Sequence, residues 1–352
     1  MGRNATAGAS LERLVRMAIP VLRKSECPRQ GRGGKVIIPD WLIAALIMIV
    51  VLKKKKRKSA QYRYLCRHRQ EIAGWLGDKR LPSRATYFRR YRQAHSLFRR
   101  AVGRQGVLAI AEGVTDATDV AVDKSLIAGL GAPWHKQDRQ AGKIPAGVDC
   151  DCTWGYSKHD DWIHGYSYEV AVSATPQATV FPLLASVDTA STSETRTFAA
   201  KIDDLPAATL TVSADSGYDM NEYGERIEYD ENNRRTGRRF LCPENPRNTQ
   251  GRQLKPATDK KQARSRQRRQ GRKRFLQSRR GRRLYARRKK TVEPFNEWFK
   301  SLFELEERVW HRGLDNNRTN ILAAIFVYQL LVRYNHRRGN NNGCVRWLTD
   351  EL

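Results

Sequence analysis

Residues 210–218 read LTVSADSGY. Their β-branched and apolar side chains run up to a carboxylate, and a Ser-Gly pair then stops the run, which is the pattern of a buried strand closed by an acid. Asp215 is therefore expected at the carboxyl end of a strand. Residues 120–127, VAVDKSLI, have the same form, with Asp123 closing a short apolar run. A third acid, Glu293 in TVEPFNEWFK, opens an amphipathic segment, and Lys300 lies seven residues on, two helical turns away and on the same face. Three carboxylates converging from strand, strand and helix are able to hold two divalent metal ions, Mg²⁺ or Mn²⁺, about 4 Å apart, the arrangement that cleaves and joins phosphodiesters by in-line displacement.

Working outward, strands are expected over residues 119–127, 165–174 and 179–187, a meander of three. A helix follows over 192–204, opened by a Ser/Thr-Glu capping pattern. Then come the strand carrying Asp215 (207–214), a helix (221–229) and a strand (238–242). Three strands, helix, strand, helix, strand and then helices is the order of a ribonuclease H-like α/β domain, a mixed sheet flanked by helices. Residues 10–105 read instead as helices, so the sheet is preceded by an all-α N-terminal domain. The run at 41–52, WLIAALIMIVVL, is too short to span a bilayer, and Pro39-Asp40 supplies a helix start, so it reads as a core helix. Residues 317–334, apolar nearly all round behind Asn317, read as a second, Asn-capped buried helix.

The formal net charge of +30 is extreme for an enzyme of small metabolites and implies a polyanionic partner, nucleic acid before an anionic membrane. The first 14 residues lack an apolar core, so no signal peptide is expected. Six scattered cysteines fit a reduced, cytoplasmic chain. Cys150 and Cys152, with His159 and His164 nearby, have the wrong spacing for a zinc finger and read as small loop or strand residues.

The order Asp, Asp, Glu, the phrase ADSGYD after an apolar strand, HGYSYEVAVS from His164, and Glu293 followed after six residues by Lys300 resemble the DDE transposases of bacterial insertion sequences. The resemblance runs from about residue 116 to 336. Many relatives carry Tyr, two residues, Arg, three residues, Glu, six residues, Lys. Here Tyr285 and Arg288 keep their mutual spacing, but Glu293 comes one residue late. The resemblance implies nicking at transposon ends and transfer of the freed 3′-hydroxyl into target DNA. It implies Asp123, Asp215 and Glu293 as ligands of two Mg²⁺ or Mn²⁺ ions, with Lys300, Arg288 and Tyr285 on the DNA. The partners it implies are the terminal inverted repeats and target DNA, with a homodimer joining the paired ends at the bacterial nucleoid. Glu297, one turn beyond Glu293, is the rival third acid, and Asp119 and Asp219 are the nearest alternatives to the two aspartates.

The expected organisation is a helical DNA-binding domain at 1–105, a catalytic domain at 116–336 and a tail at 337–352. In 81–102, LPSRATYFRRYRQAHSLFRRAV, Tyr87, Phe88 and Tyr91 alternate with arginines, as in a helix whose basic side lies along phosphates. The same pattern fits a solvated basic helix packed on the catalytic domain. Residues 234–290 hold about two dozen Lys and Arg and few apolar residues, a composition that builds no core and needs phosphate or solvent. A partly helical basic arm is expected there, with Arg264 and Arg268 on DNA. Two other functions share these features: a DNA-binding protein without catalysis, and a metal-dependent nuclease that cuts without joining.

Overall fold

The computed structural model describes residues 11–27, 38–78, 80–157, 161–246, 259–341 and 343–350. Helices come first: α1 (Leu11–Ser25), α2 (Asp40–Leu52), α3 (Lys58–Arg67), α4 (Arg69–Leu76), α5 (Arg84–Gln93) and α6 (His95–Ala111). The central part holds β1 (Asp119–Ala128), a short α7 (Lys136–Gln140), β2 (Thr153–Ser157), β3 (Asp161–Ser173), β4 (Pro182–Thr189), α8 (Glu194–Ala199), β5 (Thr211–Ser213), α9 (Asn221–Glu228) and β6 (Arg239–Leu241). Helices α10 (Lys260–Gln277), α11 (Arg279–Ala286), α12 (Val292–Leu302), α13 (Leu314–Arg337) and α14 (Arg346–Asp350) complete the described chain.

One mixed sheet organises these elements. β1 pairs antiparallel with β3 and parallel with β5, and β5 pairs parallel with β6. The outer edge of the long β3 is shared end to end, β2 covering 161–165 and β4 covering 166–172. Helices cover both faces of this sheet, and an all-helical region precedes it, the architecture expected of a ribonuclease H-like domain.

Alternation along the strands decides which helix each side chain meets. Asp123 and Ser125 lie opposite Val170 and Tyr168, and this face receives α12, where Tyr168 packs edge-on against Phe299. Lys124 lies opposite Glu169 on the other face, beneath α8. Helix α2 is buried at every position from 41 to 52, as its uniformly apolar sequence requires. It packs against α1, α5 and the equally buried α13, so the helical region and the sheet share one hydrophobic core. Buried Gln329 of α13 ties the parts together by donating to the carbonyls of Val102 and Pro182. Arg333 pairs with Glu112 just beyond α6. No described helix is long and apolar enough to cross a membrane.

Several elements differ from expectation for local reasons. β5 begins only at Thr211, because Thr209 closes a turn onto Pro206 and the amides of Leu210 and Thr211 both donate to the Thr118 carbonyl. The helix expected over 192–204 stops at Ala199, and tighter turns carry the chain through Lys201 and Asp204. α13 starts three residues before Asn317. That side chain is no N-cap, since its Nδ2 donates back to the carbonyls of His311 and Gly313. In α5, Ser83 caps the helix as expected. Tyr87 and Tyr91, however, are buried, Tyr91 bonding His311 at 3.0 Å, and Arg90 is paired with Asp40. These aromatic rings serve packing; the exposed basic positions of the helix are Arg84, Arg89 and Arg92.

Candidate active site

Asp123 sits in β1 where the antiparallel pairing with β3 continues and the parallel pairing with β5 has ended. Asp215 follows β5 by two residues and caps the short 3-10 turn Ser216–Tyr218, accepting from Gly217 N at 2.8 Å. A Cβ at Gly217 would come within 3.0 Å of Asp215 Oδ1, so the tight SG turn keeps that carboxylate in place. Glu293 lies in the first turn of α12, where a carboxylate is favoured by the helix dipole.

The three acids meet around one guanidinium. Arg288 Nη2 is 2.6 Å from Asp123 Oδ1 and 3.9 Å from Asp215 Oδ2, and its Nη1 is 3.4 Å from Glu293 Oε1. The extra residue between Arg288 and Glu293 is taken up by the 3-10 turn Arg288–Lys290 and Thr291, so the altered spacing still delivers both side chains to one point. Asn296, one turn after Glu293, donates to Asp123 Oδ2 at 3.0 Å. Burial differs sharply across the cluster. Arg288 and Asp123 side chains are 8% and 15% exposed, whereas Asp215 and Glu293 are 45% and 50% exposed, so the site is closed at the β1 end and open towards solvent.

Burial pushes the Asp123 carboxyl up to about 7; the Arg288 charge opposes that rise, while Asp215 and Glu293 add to it. Burial likewise raises the Tyr285 phenol to about 12, against the pull of Arg288. Tyr285 therefore stands beside the cluster, half-buried. Lys300 donates to the Leu126 carbonyl at 2.8 Å, on the same strand as Asp123. Glu297 is exposed and forms no hydrogen bond or ion pair with the cluster among the described residues, because the face of α12 turned to β1 carries 293, 296 and 300. Asp119 is paired with Arg287, and Asp219 with Arg269 at 2.7 Å, so both serve neighbouring basic segments.

As they stand, no three Asp, Glu, His or Cys side chains among the described residues are gathered tightly enough to hold a metal ion. The donor set nevertheless suits hard divalent cations, being all carboxylate oxygen, and a cationic group already occupies the point where the acids converge. Arg288 Nε and Asn296 Oδ1 are buried without a hydrogen-bond partner among the described residues. The transposase DDE domain family matches residues 111–330 of the chain.

The chain belongs to the DDE transposases.

No individual curated protein gives a match. DNA is the partner that membership of this family implies, and divalent metal ions are its general requirement.

Sequence reasoning missed two parts of this transposase's candidate site. Asn296 is one, although its place one turn after Glu293 was a readable signal. The other is a buried polar network behind Asp123. Glu169 accepts from Thr197 and from Tyr218 at 2.9 Å, and it is paired with the fully buried Lys201. Tyr218 belongs to the ADSGY phrase, so this network fixes the turn after Asp215 to β3. Its signal was a glutamate inside an otherwise buried strand. The HGYSYEVAVS phrase is thereby explained as structure: Tyr166 donates to Asp149 at 2.6 Å and Glu169 anchors Tyr218. Cys152 is buried with its thiol pushed up to about 12, mainly by burial, and all six cysteines are free; His159 lies outside the described residues.

Proposed function

We propose that this transposase cuts DNA at the ends of a mobile element and joins the freed 3′-hydroxyl to target DNA, with Asp123, Asp215 and Glu293 as the metal-holding acids. The observation that carries this reading is the convergence of those three carboxylates on one guanidinium from β1, the turn after β5 and α12. Those acids would hold two divalent ions, whose chemistry would be to favour a deprotonated attacking oxygen and stabilise the leaving one. Arg288 holds the acids together in the absence of DNA and turns to a phosphate when DNA enters, exchanging one oxyanion partner for another. Asn296 fixes the Asp123 carboxylate. Lys300 supplies a point charge to a phosphate near the scissile bond, and Tyr285 lines the entry beside Arg288.

The helices of residues 1–105 hold end DNA through the exposed basic positions of α5, and a homodimer brings two ends together. In the assay, a duplex carrying the inverted repeats that flank the gene is incubated with the chain and a target plasmid. Nicked and joined products are expected with Mg²⁺ or Mn²⁺, and none with Ca²⁺ or a chelator, since the looser coordination of Ca²⁺ suits in-line displacement poorly. Cleavage in chelator overturns the metal reading, and cutting without joined product reduces the activity to that of a nuclease.

A further inference from the structure

The basic segment expected to be an arm contains the helices α10 and α11, and the charges of α10 and the turn before β6 fall into two classes. One class faces α9 and is neutralised there. Arg268 is paired with Glu225, and Arg272 reaches Glu228 at 3.4 Å. These contacts hold the helix against the sheet edge.

The other class is left without acid partners on a cleft of about 630 Å³ between α10 and the turn that leads into β6, whose lining Arg268 and Arg272 share. Arg235, Arg264 and Arg274 lie on this cleft, are exposed, and have no acid partner among the described residues. Arg239 joins them with its guanidinium over the Phe275 ring at 4.1 Å. Among the described residues the only acid on the lining is Glu228, already matched by Arg272. Unpaired like charges gathered in a concave surface repel one another; salt screens that repulsion in part, and a bound polyanion turns it into attraction. The cations are all arginine, whose planar fork takes phosphate oxygens in pairs. Arg264 and Arg274 are ten residues apart on one helix, about 15 Å, so the complement is an elongated chain of phosphates rather than a single one.

The cleft is not the cutting site. Thr211 pairs with Arg239 at the amino ends of the parallel strands β5 and β6, whereas Asp215 lies four residues further on, beyond their carboxyl ends. At strand rise, that separates the two by about 13 Å, or about four base-pair steps of duplex.

We infer that the cleft between α10 and β6 is a second DNA-backbone site, holding phosphates about four base pairs away from the bond being cut. The inference rests on the reading of this chain as a protein that acts on DNA. Its test is the salt dependence of duplex binding by the full chain carrying Arg235→Gln, Arg264→Gln and Arg274→Gln together. All three positions are exposed, and Arg226→Gln, which loses only an exposed pair with Asp203, is the control. The slope of log K against log salt is expected to fall by about 2.7, at about 0.9 for each lost phosphate contact, while the control keeps the parent slope. Lysine at the same three positions is expected to restore most of it. Hydroxyl-radical footprints are expected to lose protection at a distance from the cut and keep it at the cut.

Two duplexes are used, one with the element end and one of unrelated sequence. A fall confined to the first assigns the cleft to end DNA, and a fall on the second to target DNA. An unchanged slope on both, or protection lost only at the cut itself, overturns the inference and leaves the proposed function standing. A parent chain that binds neither duplex overturns both.

Discussion

The acid cluster and the basic helix α10 are both collections of charge, but they are built in opposite ways. In the cluster, a few charges are held by elements whose positions the core fixes, and one arginine, nearly buried, meets three carboxylates. On α10 no residue is buried, and roughly half the helix is basic. A charge in the first setting acts on its neighbours at low effective dielectric, so each one matters singly; in the second, solvent and salt screen it and only the sum matters. The cluster therefore suits chemistry that needs fixed geometry, and the helix suits affinity that tolerates any sequence.

The comparison breaks first if single acids prove dispensable. Asp123→Asn, Asp215→Asn and Glu293→Gln should each lower cleavage by about a thousandfold or more, and pairs of them by little further, since groups acting as a unit are non-additive. Duplex binding should stay within about twofold, because that is carried by distributed cations. Glu297→Gln should cut nearly as well as the parent. Loss of cleavage in that variant, with Glu293→Gln active, would move the third acid one turn along α12.

A second test compares a buried ion pair with the exposed ones. Lys201→Met strands Glu169 without its cation in a region closed to water, and should cost about 3–5 kcal/mol in urea unfolding. The double change Lys201→Met with Glu169→Gln should recover much of that. Equal cost for single and double variants would show that the pair itself, rather than the stranded charge, carries the stability.

How much of this was legible follows from the same contrast. Asp123, Asp215 and Glu293 could be read because each closes or opens a run whose periodicity is local: two apolar strands and one amphipathic helix. Arg288 could be named from its distance to Tyr285, but that it gathers all three acids depends on a 3-10 turn no pattern announces. Lys201 was invisible, since a lysine after a short helix is ordinarily solvated and only the fold puts it beside Glu169. Tyr87 and Tyr91 looked like a nucleic-acid face because arginines surround them, and burial against α2 and His311 is a tertiary fact. The basic character of 234–290 was plain. Its division into arginines neutralised by α9 and arginines left to the cleft was not, because the acids of α9 lie some 40 residues away in sequence.

The smallest expected effect concerns proton binding. The Asp123 carboxyl is held near 7 in the fold and near 3.9 in an unfolded chain, so the native state binds the extra proton between those values. Stability from this group is thus full at acid pH and is lost as pH rises from about 4 to about 7. Asp123→Asn, which never ionises, should compare more favourably with the parent at pH 8 than at pH 4, by about 2–4 kcal/mol in chelator. Equal differences at both pH values would mean that Arg288 compensates the buried charge fully.

Helix α2 has a consequence for how the chain is made. Its apolar residues leave the ribosome well before α13, against which they pack and which begins roughly 260 residues later. At about 5–20 residues per second, that leaves a wholly apolar helix waiting about 13–50 s for its partner. Helices α1 and α5 are synthesised in time to shelter part of it, and the side that meets α13 stays uncovered until then. An apolar surface left open that long makes the unfinished chain prone to aggregate.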